Sequence, residues 1–170
     1  MSSFHEIAPE KLNDSPFRLI GKEWMLITTP DETKESGANA MTASWGGLGV
    51  LWNKPVATVF IRPQRYSHDL CENADRISLC FLPEEYRSSL TYCGRNSGKD
   101  TDKLKDCSLS CTDIDGVRVI DQSRLALICK KAYADDIKES SFIDRDHLKH
   151  YSGDFHRFYI LEIEKILVKE

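Results

Sequence analysis

Val56-Ala57-Thr58-Val59-Phe60-Ile61-Arg62, followed by Pro63-Gln64-Arg65-Tyr66-Ser67, is the stretch on which the fold turns. Val56, Thr58 and Phe60 alternate with Ala57, Val59 and Ile61, so an extended chain here is apolar on both faces and needs burial on both. Pro63 has no N–H to give a ladder and ends the strand. A short helix is expected over 66–74, with Ser67 as its N-cap. Arg62 follows the strand and is expected to stand outside its packing.

Upstream, the run 24–29 reads as a strand closed by Pro30, and 31–38 as a polar loop containing Gly37. A second strand is expected over 40–45, broken by Gly46, Gly47 and Gly49. Downstream, 76–82 reads as a strand stopped by Pro83. A helix over 84–92, a loop over 94–100 and a short helix near 102–105 follow. Ile114-Asp115-Gly116-Val117 sets Asp-Gly between apolar residues, the strongest local hairpin signal in the chain. The run 124–134 continues the sheet. In 157–168, Leu161 and Ile163 alternate with Glu162 and Glu164, as in a strand with one solvated side. Many short strands with helices between them suggest a mainly β barrel with helical decoration and not a doubly wound sheet. No repeat or low-complexity segment divides residues 1–170, which read as one domain.

A chain of 170 residues buries enough surface to be stable without disulfides. Its six cysteines, Cys71, Cys80, Cys93, Cys107, Cys111 and Cys129, therefore read as reduced thiols. Cys107 and Cys111 have near-metal spacing, but structural zinc wants a second pair and none is supplied, so no metal is expected. A net charge of −4 without a basic run argues against nucleic acid. No apolar run is long enough to cross a bilayer. Residues 1–10 lack a basic n-region and an apolar h-region, so a cytoplasmic location is expected.

Three segments carry candidate chemistry. Asn39-Ala40-Met41-Thr42-Ala43-Ser44-Trp45 combines small and hydroxylated side chains that let a planar ring approach backbone amides, although composition alone describes an ordinary buried strand. Arg62-Pro63-Gln64-Arg65-Tyr66-Ser67 offers two guanidiniums, a hydroxyl and helix-start amides to one phosphate, with Asp69 an unfavourable neighbour; solvated arginines at a strand end are the plainer reading. Gly94-Arg95-Asn96-Ser97-Gly98-Lys99-Asp100, with Asp102 and Lys103, is turn-rich and cationic, and in isolation reads as a surface loop.

Together and in this order, Met-Thr-Ala-Ser-Trp at 41–45, Ile-Arg-Pro-x-Arg-Tyr-Ser at 61–67 and Gly-Arg-x-Ser-Gly with Asp-Lys at 94–103 resemble the flavin reductase-like, FMN-binding split-barrel family, close to its flavoredoxin branch. The resemblance spans roughly residues 15–168. It implies a six-stranded split β-barrel in a homodimer, with FMN near the interface. It places Met41, Thr42, Ala43, Ser44 and Trp45 against the ring and ribityl chain, and Arg62, Pro63, Arg65, Tyr66 and Ser67 at the phosphate, with Ser97, Gly98 and Lys103 as weaker members of the same set. Some family reductases carry Gly-Asp-His near the C-terminus, where the His receives nicotinamide. Here the stretch is Gly153-Asp154-Phe155-His156, with Phe155 inserted, so His156 is the implied nicotinamide contact at an altered position.

Gly46-Gly47-Leu48-Gly49 lacks dinucleotide-loop spacing and precedes Pro55 and a strand, so no Rossmann site is expected. His147 and His150 fall in a charged stretch that reads as a solvated helix. No Gly-x-Ser-x-Gly and no marked Cys–His pair supports hydrolysis. The expected activity is NAD(P)H-dependent flavin oxidoreduction, with electrons passing on to a second acceptor and no side chain acting as acid or base. The alternative is an FMN-binding electron carrier that serves a redox protein partner and has no nicotinamide site of its own.

Overall fold

The computed structural model describes residues 4–169. Among them are strands β1 (His5–Ile7), β2 (Met25–Pro30), β3 (Ala38–Ala43), β4 (Gly46–Leu51), β5 (Lys54–Ile61), β6 (Arg76–Phe81), β7 (Cys111–Ile114), β8 (Val117–Ile120), β9 (Leu125–Asp136) and β10 (Arg157–Val168). The helices are α1 (Pro16–Arg18, running into a π-type turn at Leu19–Glu23), α2 (Tyr66–Asn73), α3 (Arg87–Arg95) and α4 (Lys103–Asp106).

The main sheet is antiparallel, in the order β3-β2-β6-β9-β10-β5-β4, with β1 added beside β10. Its two end strands, β3 and β4, are consecutive in the chain, with only Ser44 and Trp45 between them. In a flat sheet, six spacings of about 4.8 Å would hold these ends roughly 29 Å apart. Three Cα–Cα steps reach about 11 Å. The sheet must therefore curl until its ends meet at Ser44-Trp45. Register shifts between β10 and β9 at Ile160/Leu161 and Ile163/Lys165 supply local bends for that curl.

Gly46 lies at the seam with φ +155°, and a Cβ there would meet the Thr58 carbonyl oxygen at 2.5 Å and Met25 Cε at 3.3 Å. Glycine is thus what lets β4 begin against β5. The expectation that Gly46, Gly47 and Gly49 break a strand is corrected: all three pair within β4. The sheet accordingly holds eight strands where six were expected, because β1 and this glycine-rich segment also pair. The architecture remains a mainly β split barrel with helices.

Period-2 alternation divides the apolar residues between two cores. Met25, Ile27, Leu79, Leu127, Val59, Ile61 and Leu161 fill the barrel. Leu26, Cys80, Ala126 and Ile128 point outward beneath a layer made by α3, α4 and the β7–β8 hairpin, with Leu90, Leu104 and Val119. Both faces of β2 are thereby covered within one chain. In the hairpin, Asp115 and Gly116 take φ of 52° and 81°, the two positive values that a type I′ turn requires.

Local readings differ at three places. Trp24 precedes β2 at φ +69°, its ring under the Arg87 guanidinium at 3.4 Å. Ser67 does not cap α2: Arg65 holds that position without a side-chain bond, and the Ser67 hydroxyl faces inward, accepting from Asn39 Nδ2 at 2.8 Å. The helix expected over 84–92 begins as a 3-10 turn at Glu84–Tyr86, and α3 carries it through Gly94 and Arg95, which were read as loop.

Substituting Gly46→Ala should destabilise the protein by about 1–3 kcal/mol through overpacking and strain at the seam. A Cβ at Gly47 meets nothing within 4 Å, so Gly47→Ala should change stability by less than about 1 kcal/mol. Urea unfolding of the pair is the measurement, and equal losses would remove Gly46 from its role in closure.

Candidate functional site

A cleft of about 220 Å³ opens at the seam. One wall is the end of β3 and its exit, Met41 to Trp45; the other is Phe60, Arg62, Arg65 and His156. β3 is an end strand, so one of its edges has no strand partner and leaves backbone N–H and C=O groups available. Met41 and Ala43 turn into the barrel, while the Thr42 hydroxyl donates to the Leu90 carbonyl of α3. Ser44 and Trp45 stand at the cleft mouth.

Arg65 reaches the cleft from the start of α2 and donates to the carbonyls of Gly94 (3.1 Å) and Cys93 (3.5 Å). Lys103, buried in α4, donates to the same Cys93 carbonyl at 3.1 Å. Two cations therefore satisfy the end of α3, where the helix dipole favours positive charge. Burial lowers the affinity of Arg65 for its proton and pulls the Lys103 amine down to about 8; it also pushes the Cys93 thiol up to about 12.

Behind Arg65, Asn39, Ser67, Tyr66 and Gly98 pack closely. A Cβ on Gly98 would fall 2.1 Å from Asn39 Oδ1 and 2.8 Å from Tyr66 Cδ1. The Tyr66 hydroxyl donates to Asp31 at 2.8 Å, and Ser97 Oγ accepts from the Lys99 amide at 3.2 Å. Of the expected residues, Met41, Thr42, Ala43, Ser44, Trp45, Arg62, Arg65 and His156 line the cleft. Ser67, Tyr66, Gly98 and Lys103 form the layer next to Arg65, Ser97 lies in the loop leading to α4, and Pro63 is exposed. Phe60 was missed, although period 2 puts it on the face of β5 that continues to Arg62.

Arg62 departs from its expected isolation. Its Nη1 donates to Asp154 Oδ2 at 2.5 Å and to the Asp154 carbonyl at 3.3 Å, and its Nη2 donates to the His150 carbonyl at 3.0 Å. The guanidinium lies 5.1 Å from the Tyr151 ring. Asp154 also accepts from the Ser152 amide and from Gln64 Nε2, and these bonds with Arg62 hold its carboxyl down at about 2.

His156 is buried beside Trp45 (centroids 5.3 Å) and Phe60 (6.2 Å), and its Nδ1 lies 2.9 Å from the Tyr151 hydroxyl. Burial first, then the charge of Arg62, lowers its pKa to about 4, so the ring is neutral at pH 7. Phe155 stacks on Tyr151 at 4.8 Å and faces Phe142 at 6.0 Å, outside the cleft that His156 lines.

These shifts act in separate pH windows. A neutral buried His156 opposes protonation that the unfolded chain accepts below 6.5, so stability falls as pH drops from 6.5 to about 4. Asp154 contributes stability above its ordinary 3.8 that is lost as pH falls through about 2. In urea titrations, His156→Gln should flatten the loss between pH 6.5 and 4 and leave the loss below 3.8 in place. An unchanged upper window would show that His156 titrates as it does in the unfolded chain.

Residues 17–170 match the family model for the flavin reductase like domain. Comparison with curated proteins returns no match. Among solved structures, the chain is similar to the FMN-binding protein from Thermus thermophilus with bound 1-cyclohex-2-enone, at 19% identity and a TM-score of 0.64, over 95% of this chain and 76% of that one. It is similar to the flavoredoxin of Desulfovibrio vulgaris (Miyazaki F), at 18% identity and 0.68, over 98% and 77%. A putative flavin reductase from Haemophilus somnus aligns at 15% identity and 0.66, over 96% and 90%. At these identities the likenesses establish the fold, and the match over 17–170 establishes the family: this chain belongs to the flavin reductase-like domain family.

Proposed function

We propose that this chain is an FMN-binding oxidoreductase that takes reducing equivalents from NAD(P)H and delivers them to a second acceptor. The observation that carries the reading is the cleft itself, where the unpaired edge of β3 and the Arg65 guanidinium face one space beside Trp45 and His156. The donor set fits FMN: backbone groups and small side chains for a ring, and a guanidinium for one phosphate. Bound FMN would supply two-electron chemistry, as hydride acceptor and electron donor.

The protein's contribution is binding, orientation and exclusion of water. Thr42, Ser44 and Trp45 bound the space for the ring. Arg65 is the guanidinium assigned to the phosphate, because its partners are neutral carbonyls, whereas the charge of Arg62 is already met by Asp154 and is assigned to the cleft wall. Ser67, Gly98 and Lys103 support that end. His156, neutral and with Nδ1 occupied by Tyr151, has Nε2 left to meet a nicotinamide amide. The second reading, an FMN-binding electron carrier working with a redox protein, is favoured by Trp45, 45% exposed at the cleft mouth where a partner would dock. Steady-state oxidation of NADH and NADPH by the purified protein separates the two.

A space of about 220 Å³ is below the roughly 300–1,000 Å³ of small-molecule pockets, so one chain covers only part of such a ligand. Exposed Phe17, Val50, Leu51 and Trp52 lie on or near the unpaired edge strand β4, and Trp45 joins this face to the cleft. A second copy of the chain on that edge would cover the apolar face and complete the site. Protein surfaces of this kind that are buried in obligate dimers exceed about 2,000 Å² in total.

Protein purified without added cofactor should be yellow and release FMN on denaturation. Arg65→Ala should weaken FMN binding by about 10- to 100-fold, the loss expected for a charged hydrogen bond, with much less effect on riboflavin. Arg62→Ala should discriminate less between the two ligands. Colourless protein that also fails to bind FMN in a fluorescence titration would overturn the assignment. Analytical ultracentrifugation at low micromolar concentration should show a homodimer when FMN is bound, and Trp52→Glu should weaken it. A monomer with FMN bound would place the whole site in one barrel.

A further inference from the structure

The segment between β9 and β10, residues 137–156, is a strap with only 3-10 turns at Glu139–Ser141 and Arg145–His150. Its ends are tied by the Ile137 amide donating to the His156 carbonyl at 2.9 Å. No residue from 137 to 155 is buried, and none belongs to either core. Phe142, Tyr151 and Phe155 pack on one another and not into the barrel. A loop without an apolar anchor depends on its polar ties for its position. Those ties converge on one point, since Arg62 holds Asp154 by carboxylate and carbonyl and holds the His150 carbonyl as well, with Gln64 adding a bond to the same carboxylate.

We infer that Arg62 and Asp154 form a positioning pair that docks the strap on the barrel and thereby sets Tyr151 and His156 at the open side of the cleft. Arg62 extends from the end of β5, a rigid element, and so fixes the strap relative to the sheet. Asp154 turns its second oxygen to the Ser152 amide at 2.8 Å, which shapes the turn between Tyr151 and His156. That turn brings the Tyr151 hydroxyl to His156 Nδ1 and leaves Nε2 as the nitrogen free for a ligand. Trp45 meets His150 at 5.6 Å and His156 at 5.3 Å, so the strap also braces the aromatic residue at the cleft mouth. The pair thus serves the molecule that enters after the cofactor and not the cofactor's phosphate. This deepens the proposed function and, for that second molecule, rests on it.

The test uses Asp154→Ala and Arg62→Ala. In protein without added cofactor, hydrogen exchange at the Ile137 and Tyr151 amides, neither of which bonds to Asp154, should accelerate by about 10- to 100-fold. Exchange within β5 and β10 should hold. The His156 pKa, followed by NMR, should rise from about 4 toward 6.5 in both variants as the ring loses its burial, and Asp154→Ala is the decisive one, because removing that carboxylate by itself lowers the pKa whereas removing the Arg62 charge by itself raises it. Wild-type exchange and an unmoved His156 in both variants would overturn the inference. In FMN-loaded protein, the KM for the reduced nicotinamide should rise about tenfold or more while FMN affinity changes by less than about twofold. Equal losses of FMN and nicotinamide would overturn it as well, by assigning the pair to the cofactor. Wild-type protein that binds no FMN would defeat the proposed function instead, and the exchange and NMR measurements would still decide the pair.

Discussion

The connection of β3 to β4 through two residues is the constraint on which the rest of the structure depends. It joins the two ends of a long antiparallel path, so the sheet has no choice but to curl, and the curl creates an interior. Everything apolar on the inner face of β2, β5, β6, β9 and β10 is buried by that closure. The contact that permits it is small: the backbone of Gly46 against the Thr58 carbonyl and the end of Met25. Closure also leaves an unpaired edge on β3, and the cleft forms where that edge meets the ends of β5 and α2. The same geometric necessity therefore produces both the barrel and the site.

β2 and β5 are apolar on both faces, and each face needs its own cover. In β2 the second face is covered from within the chain, by α3, α4 and the β7–β8 hairpin. In β5, Ala57, Val59 and Ile61 face the barrel, and Phe60 on the other face becomes a wall of the cleft. Exposed apolar side chains gather instead on the β4 edge and near α1, at Val50, Trp52 and Phe17, with Ile143 and Tyr133 exposed elsewhere. Edge strands usually carry charge or prolines that block further pairing. The β4 edge departs from that rule, with Val50 and Leu51 exposed on it.

Charge is distributed unevenly between the two arginines of the site. Arg65 and Lys103 donate to carbonyls at the end of α3, and neither has a carboxylate partner among the described residues. Arg62 faces Asp154, whose charge it meets and whose loop it holds. Two residues three apart in sequence thus take different partners, neutral carbonyls for one and a carboxylate for the other. His156 lies between these tasks, kept neutral by burial and by Arg62.

The strands are legible in the sequence, because alternation of apolar side chains is a local property: β5, β6, β10 and the Asp115-Gly116 hairpin lie where their patterns place them, within a residue or two. The sequence also names, through the motif resemblance and not through residue types alone, segments that meet at one cleft, since Met41 to Trp45, Arg62, Arg65 and His156 line it. It misjudged Gly46, Gly47 and Gly49, because a glycine that breaks a strand and one that permits close packing look alike until the neighbouring strand is known. Ser67 was read as a cap for the same reason, as local spacing does not show that Asn39 waits on the inner side. The partners of Arg62 emerge from chain closure alone, since Asp154 lies ninety-two positions away. Ion pairs between distant segments depend on where chain closure brings them, and no periodicity encodes that meeting. The alternating pattern selects the faces of each strand, and the two-residue seam at Ser44-Trp45 selects which of those faces come together.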